Sequence, residues 1–200
     1  MNPVAAAFEL RAAMERLEPE PQHTIHVAFL AGRLFDDLRP LHGLGPEERV
    51  ILQGAACLHD IGWPESCRGS GHHKISARII REQTWHCLSA SEVNLVAQVA
   101  RYHRRAHPSS EHVDFHGLSQ PHQRVVLVLA SLLRIADAFD RSHVQRVRDV
   151  RARVGDGCIE ITLFSPTEPA REIAAAAKKG DLCREVFGLE LVFNFERASD

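Results

Sequence analysis

The run VILQGAACLHDIG, residues 50–62, constrains this chain more than any other stretch. Val50, Ile51, Leu52, Ala55, Ala56 and Leu58 recur at helical spacing, Glu47 and Glu48 lie in the first turn, and Gly62 and Pro64 stop the helix just after His59-Asp60. A His and an Asp adjacent at a helix end can both reach one metal centre. Further donors stand at His23 upstream and at His72, His73, His103 and Asp137 downstream, each at a helix start or inside a periodic apolar stretch. Such a pattern describes a metal-ligand set carried by several helices.

The other helices follow from the same periodicity. HTIHVAFLAGRLFDDL places Val27, Leu30, Ala31, Leu34, Phe35 and Leu38 on one face, with His23 in the first turn and the loop RPLHGLGPEE as its end. PESCRGSG reads as a flexible loop, and HHKISARIIREQ restarts a helix at His72 or His73. Ser89 followed by Glu92 is a capping-box pattern for SEVNLVAQVARYHRR, which delivers His103 near its C-terminal end. AHPSSEHVDFHGLSQP is the longest loop, and HQRVVLVLASLLRIADAFDRSHV follows as a long, mostly buried helix. After about residue 150 the pattern changes: CIEITLF alternates like a strand, EPAREIAAAAKKGDLCREVFG is helical, and LELVFNF alternates again. The expectation is a mainly α fold, a helical bundle over residues 1–150 with a small C-terminal β-α-β appendage over 151–200 packed on it.

Composition narrows the function classes. Two hundred residues, 44% of them apolar, suffice for one compact domain with its own core. A formal net charge of −2 gives no broad basic field, so strong nucleic-acid binding is not expected. The local clusters RYHRRAH and DRSHVQRVRDVRAR suit a small anionic substrate or a solvated helix face. No stretch approaches the roughly 20 apolar residues of a bilayer span, so no membrane partner is expected. The N-terminal MNPVAAAFELRAAMERLEPE, interrupted by charges, lacks a signal-peptide core, and the chain is expected to be mature as it stands. Five cysteines without a C-x-x-C argue against a disulfide framework and for a reducing cytoplasm. Thirteen histidines against one tyrosine supply neutral metal ligands in excess.

Several His with two Asp make a mixed nitrogen and oxygen site that suits Mn, Fe, Mg, Co, Ni or Zn, as one ion or two. The set contains no Cys, which disfavours a closed structural zinc. Two cations a few Å apart acidify a water between them and offset charge on a phosphoryl group, the chemistry of phosphoester or phosphoanhydride hydrolysis. Asp137, within LLRIADAF, needs a metal or an ion pair with Arg134 or Arg141. RYHRR is also compatible with a plain basic helix end, and His26 competes with His23 by spacing. His42, His86, His107, His112, His116 and His122 read as surface or loop residues.

The order H…HD…H…H…D, carried by HTIHVA, LHDIG, HHKIS, RYHRR and LLRIADAFDRSH, resembles the HD-domain metal-dependent phosphohydrolase superfamily. More narrowly, LHDIGW…HHKISARII…EVNLVAQVARYHRRAHP…LASLLRIADAFDRSHV is similar to the C-terminal HD module of exopolyphosphatase / guanosine pentaphosphate phosphatase proteins, and the likeness continues into KKGDLCREVFGLEL. The resemblance implies that His23, His59, Asp60 and Asp137 hold a first metal, with Asp60 as a bridging ligand. It further implies that His72 or His73, together with His103, completes a second site; the pattern in cyclic-dinucleotide phosphodiesterases of the HD-GYP type matches His72, and the exopolyphosphatase-like pattern favours His73. Lys74, Arg104 and Arg141 become candidates for holding substrate phosphates. The N-terminal catalytic domains of the long exopolyphosphatases are missing, so their activity does not carry over and a free-standing module is expected. The implied function is hydrolysis of a nucleotide, dinucleotide or other small phosphate ester or anhydride, with His59 and Asp60 at the catalytic centre. The alternative is a non-catalytic nucleotide- or polyphosphate-binding regulatory module. A homodimer is compatible with a module of this size.

Overall fold

The structure is a computed structural model and describes residues 1–198. It is mainly α, with a small three-stranded sheet at the C-terminal end. An N-terminal helix, α1 (Pro3–Leu17), opens the chain. Asn2 caps it, its side chain accepting from the Val4 and Ala5 amides at 3.2 and 3.3 Å, with Pro3 at the first helical position. α2 (Pro21–Asp37), α4 (Pro46–Leu58), α6 (Ala90–Arg101) and α8 (Gln120–Phe139) pack around a common core that includes Leu30, Leu34, Leu52, Val96, Leu129 and Leu133. α1 covers α4 and α5 (His72–Glu82) covers α6, while α3 (Arg39–His42) and α7 (Val113–His116) are single turns. The α6 capping box is formed: Glu92 Oε2 accepts from the Ser89 amide at 2.7 Å, and Ser89 Oγ accepts from the Glu92 amide at 3.4 Å.

The C-terminal sheet has the order β1 (Asp149–Val154), β2 (Cys158–Ser165), β3 (Glu190–Arg197). β2 and β3 run parallel, from Cys158 opposite Glu190 to Ser165 opposite Arg197. The crossover carries α9 (Ala170–Lys179) and α10 (Asp181–Phe187). Ile159, Ile161 and Leu163 of β2 and Val150 of β1 belong to the same apolar cluster as the helical residues. α9 packs on α8, and β1 lies along α2, where Arg33 grips Asp149 at 2.8 and 2.6 Å.

Four features differ from the sequence reading. α1 is a helix of 15 residues in a segment to which the sequence reading assigned no element; its alanines favour helix and Leu10 and Met14 give it a buried side. α8 ends at Phe139 instead of running on to Val144, because Asp140 leaves the helical conformation and His143 and Gln145 take left-handed backbone angles. β1 is hidden in RDVRARV, whose arginines read as a basic face although Val150 is buried at period two. The last helical stretch divides at Gly180, where a Cβ would lie 2.3 Å from Leu191 Cδ1 and 3.0 Å from the Ala176 carbonyl. All five cysteines are free thiols. Among the described residues no helix is long and apolar enough to cross a membrane.

Candidate metal centre

Three of the histidines are fixed by one local device. The Nδ1 of His59 donates to the Ala56 carbonyl at 2.7 Å, that of His72 to Gly69 at 2.8 Å, and that of His103 to Ala100 at 2.7 Å, each three residues back. At the end of α4 this bond also satisfies a carbonyl near the helix terminus. His23 is fixed differently: its Nδ1 lies 2.9 Å from Asp140 Oδ2, and His143 stacks on its ring at 3.8 Å between centroids.

A carbonyl only accepts, so the hydrogen sits on Nδ1 and the neutral ring keeps its lone pair on Nε2. In His59, His72 and His103 that nitrogen points to a common centre. His72 Nε2 and His103 Nε2 are 3.3 Å apart, two lone pairs facing each other when both rings are neutral. Asp60 Oδ1 lies 3.0 Å from His72 Nε2 and 3.7 Å from His103 Nε2, and Asp60 Oδ2 lies 3.5 Å from His59 Nε2. Asp137 Oδ1 is 3.6 Å from His23 Nε2 and 3.9 Å from His59 Nε2. His23 Nε2, His59 Nε2 and Asp60 Oδ1 are buried and have no hydrogen-bond partner. Three overlapping groups have donor atoms within 4.8 Å of one another: His23 with His59 and Asp60, His59 with His103 and Asp137, and Asp60 with His72 and His103.

Buried donors without partners are costly, and a divalent cation is what their arrangement fits: imidazole nitrogens and carboxylate oxygens, no thiolate, and histidines oriented from behind. The electrostatics agree. Burial would raise the Asp60 carboxyl, but the surrounding His59, His72 and His103 rings outweigh it and hold it well below the usual carboxylate range. Asp137 is held low against the same burial, chiefly by Lys179 and His23. Burial lowers the His103 imidazole well below its ordinary range. For His23 burial acts downward too, yet Asp137 and Asp140 push it up to about 10, so in the absence of an ion it carries a proton that an ion would have to displace.

Gly62 makes the convergence sterically feasible. A Cβ there would sit 2.5 Å from both the His72 carbonyl and the Ser76 amide, while the Gly62 amide donates to Ser76 Oγ at 3.0 Å. The turn after His59-Asp60 therefore presses directly on the first turn of α5, which brings Asp60 to His72.

The donors open into a cavity of about 710 Å³, whose cationic wall includes Arg68, Arg104, Arg105, Arg141, Lys178 and Lys179. Of the sequence candidates, His23, His59, Asp60, His72, His103 and Asp137 come together. His73 stays outside the donor groups, half-buried with its ring 6.3 Å from that of His103, because adjacent residues on a helix diverge by about 100°. Arg104 lines the cavity with Nη1 3.4 Å from the His72 ring nitrogens, and Arg141 lines it as well. Lys74 is exposed and lies outside the cavity lining. His42 departs from its surface reading: it is buried, its Nε2 donating to the Phe35 carbonyl at 2.9 Å and its Nδ1 accepting from the Leu44 amide at 2.9 Å.

Three site residues escape the sequence reading. Asp140 stands one helical turn beyond Asp137, a spacing that could have revealed it. Glu18 lines the cavity with a buried, unpartnered Oε2, and burial raises its carboxyl to about 7. Lys179, paired with Asp137 Oδ2, arrives from α9 with no local signal at all.

A helical domain whose core opens onto a mixed nitrogen and oxygen donor cluster, beside a cationic cavity, is the class that fold and site define. The family model for Ppx/GppA phosphatase, domain III, matches residues 10–172, and the chain belongs to that family. The matched region contains all six converging donors and ends before Lys179. Among curated proteins no match is found.

Proposed function

We propose that this chain is a divalent-metal-dependent phosphohydrolase of the HD superfamily, acting on a nucleotide, dinucleotide or other small phosphate ester or anhydride. The observation that carries the reading is the convergence of buried, unpartnered Nε2 and carboxylate atoms on one centre beside a cation-lined cavity. His23, His59, His72, His103, Asp60 and Asp137 would hold one or two ions from the set Mn, Fe, Mg, Co, Ni and Zn. A bound divalent ion supplies Lewis acidity and a water acidic enough to ionise near neutral pH. The chain's own residues do the rest. Arg104 and Arg141 bind phosphoryl oxygens and offset charge that develops there. The carbonyl-anchored rings keep the donor atoms in place before substrate arrives, and Asp140 orients His23 from behind. Glu18, neutral below its raised pKa, faces the same cavity with a proton to give.

Metal analysis of gently purified protein, wild type beside Asp60→Ala, followed by both on a nucleotide and phosphodiester panel, tests the proposal. Metal lost in the variant together with turnover confined to wild type is the expected result. Wild-type protein that neither retains nor takes up divalent metal and turns over nothing would sink it. The family description, a third domain of Ppx/GppA phosphatases, favours a second reading in which the domain binds nucleotide or polyphosphate without cleaving it. Tight nucleotide binding to metal-loaded protein without product release would select that reading.

A further inference from the structure

Asp137 uses its two oxygens differently. Oδ1 faces the His23 and His59 rings, whereas Oδ2 is held by the Lys179 ammonium. Lys179 is the last residue of α9, so this cation comes from the crossover between β2 and β3 and not from the helices that carry the donors. Its backbone is anchored. The Lys179 carbonyl accepts from Arg134 Nε at 3.2 Å, Arg134 Nη2 donates to Asp181 Oδ1 at 3.0 Å, and Gly180 packs closely against the Leu191 side chain. With the Lys179 and Asp137 side chains only 20% and 14% exposed, water and salt screen the pair far less than a surface ion pair. Yet Asp137 is also a donor in the His59–His103 group. An ammonium and a divalent ion therefore want the same carboxylate.

We propose that Lys179 is a built-in competitor for the divalent ion, its ammonium neutralising Asp137 when no ion is bound and drawing on the same carboxylate charge when one is. The inference rests on the ion-binding reading above. Two effects point the same way: the pair has already offset the carboxylate charge an ion would use, and the lysine charge repels the ion. The ammonium also lies in the wall of the cavity, where it meets an anionic substrate. The crossover thereby tunes ion affinity downward and adds a substrate contact. A residue that merely oriented Asp137 would act oppositely, since losing an outer-shell partner weakens metal binding about 10–100-fold.

Calorimetric titration of Mn²⁺ into the full chain, as wild type, Lys179→Met, Lys179→Gln and Lys179→Arg, separates these, with thermal unfolding of the same proteins in chelator. The neutral variants should bind Mn²⁺ about tenfold more tightly or better, the arginine variant should stay near wild type, and both neutral variants should melt lower than wild type when metal-free because Asp137 loses its partner. Binding by the neutral variants alone would be the same result in its extreme form. Unchanged or weaker affinity in both neutral variants, with wild type binding Mn²⁺, overturns the competitor and leaves the ion site standing. No binding by any of the four proteins overturns the ion site and the competitor together.

Discussion

Two buried histidine environments in this molecule differ by one hydrogen bond. At the corner where α3 follows α2, His42 is 3% exposed and both ring nitrogens are engaged, one donating and one accepting, by backbone groups of Phe35 and Leu44. At the cluster, His59 is fully buried and pinned at Nδ1 by an equally short bond, yet its Nε2 has no hydrogen-bond partner. Burial and a fixed ring are common to both, so neither property marks a ligand. The lone pair left unused is what sets His59 apart, and a bound cation is a partner that would satisfy it.

The comparison breaks or sharpens first on substitution of the two histidines themselves. His59→Ala should weaken divalent-ion binding by more than about a hundredfold, beyond the 10–100-fold expected from losing an outer partner, while costing less stability in chelator than His42→Ala, since it strands one backbone group and not two. His42→Ala should do the reverse: metal affinity within a factor of about two, and about 2–3 kcal/mol of stability lost from a cavity and two stranded backbone groups. Paired denaturant melts and metal titrations would expose the distinction as false if His42→Ala lost metal as His59→Ala does.

Next in size is Gly62→Ala. The added methyl meets backbone atoms of His72 and Ser76 that cannot swing aside, so the turn must shift and about 2–3 kcal/mol should be lost. Because that turn carries Asp60 to His72, metal affinity should fall with stability, in contrast to His42→Ala. Urea unfolding with and without saturating Mn²⁺ measures both, and full retention of the metal-induced stabilisation would show that the close approach does not set the cluster.

A smaller effect separates cavity cations from surface ones. Arg104→Ala should raise KM for a phosphorylated substrate about tenfold through loss of a charge-assisted contact, and Lys74→Ala should change it less than about twofold, since Lys74 stands outside the wall. Equal effects in steady-state kinetics would mean that the substrate lies elsewhere.

The smallest concerns Glu18, whose carboxyl is raised by burial from 4.5 to about 7, with Asp60 adding to the rise and the Glu20 amide and His23 opposing it. The native state then holds a proton that the unfolded chain releases, so this group's contribution is fully present below about 4.5 and is lost as pH rises through about 7. Wild-type stability in chelator, measured relative to Glu18→Gln, should fall across that window and level off above it. A difference that stays constant with pH would show that Glu18 titrates as an ordinary carboxylate.

The helices from α2 to α8 that bear the donors were legible because each has an apolar face at helical period and a recognisable start or stop, as at Ser89 or Gly62. β1 and α1 were not, since arginines at alternate positions disguise a half-buried strand and an alanine-rich amphipathic segment says little until something covers it. Lys179 was invisible as a site residue: it is separated from Asp137 by two strands and most of a helix, and its charge reads as an ordinary helix end.

The sequence by itself narrowed the donors to a short list, with His72 and His73 both open, and set the local bonds that aim the His59, His72 and His103 rings, because a ring bonded three residues back depends only on its own turn of chain. Tertiary structure decided the rest. It chose His72 over His73 for the convergence, made His42 a structural residue, raised Glu18 and set a lysine on Asp137. Periodicity fixes which side chains share a helix face, whereas what that face meets depends on how helices distant in sequence pack, and that packing is settled by the whole core at once.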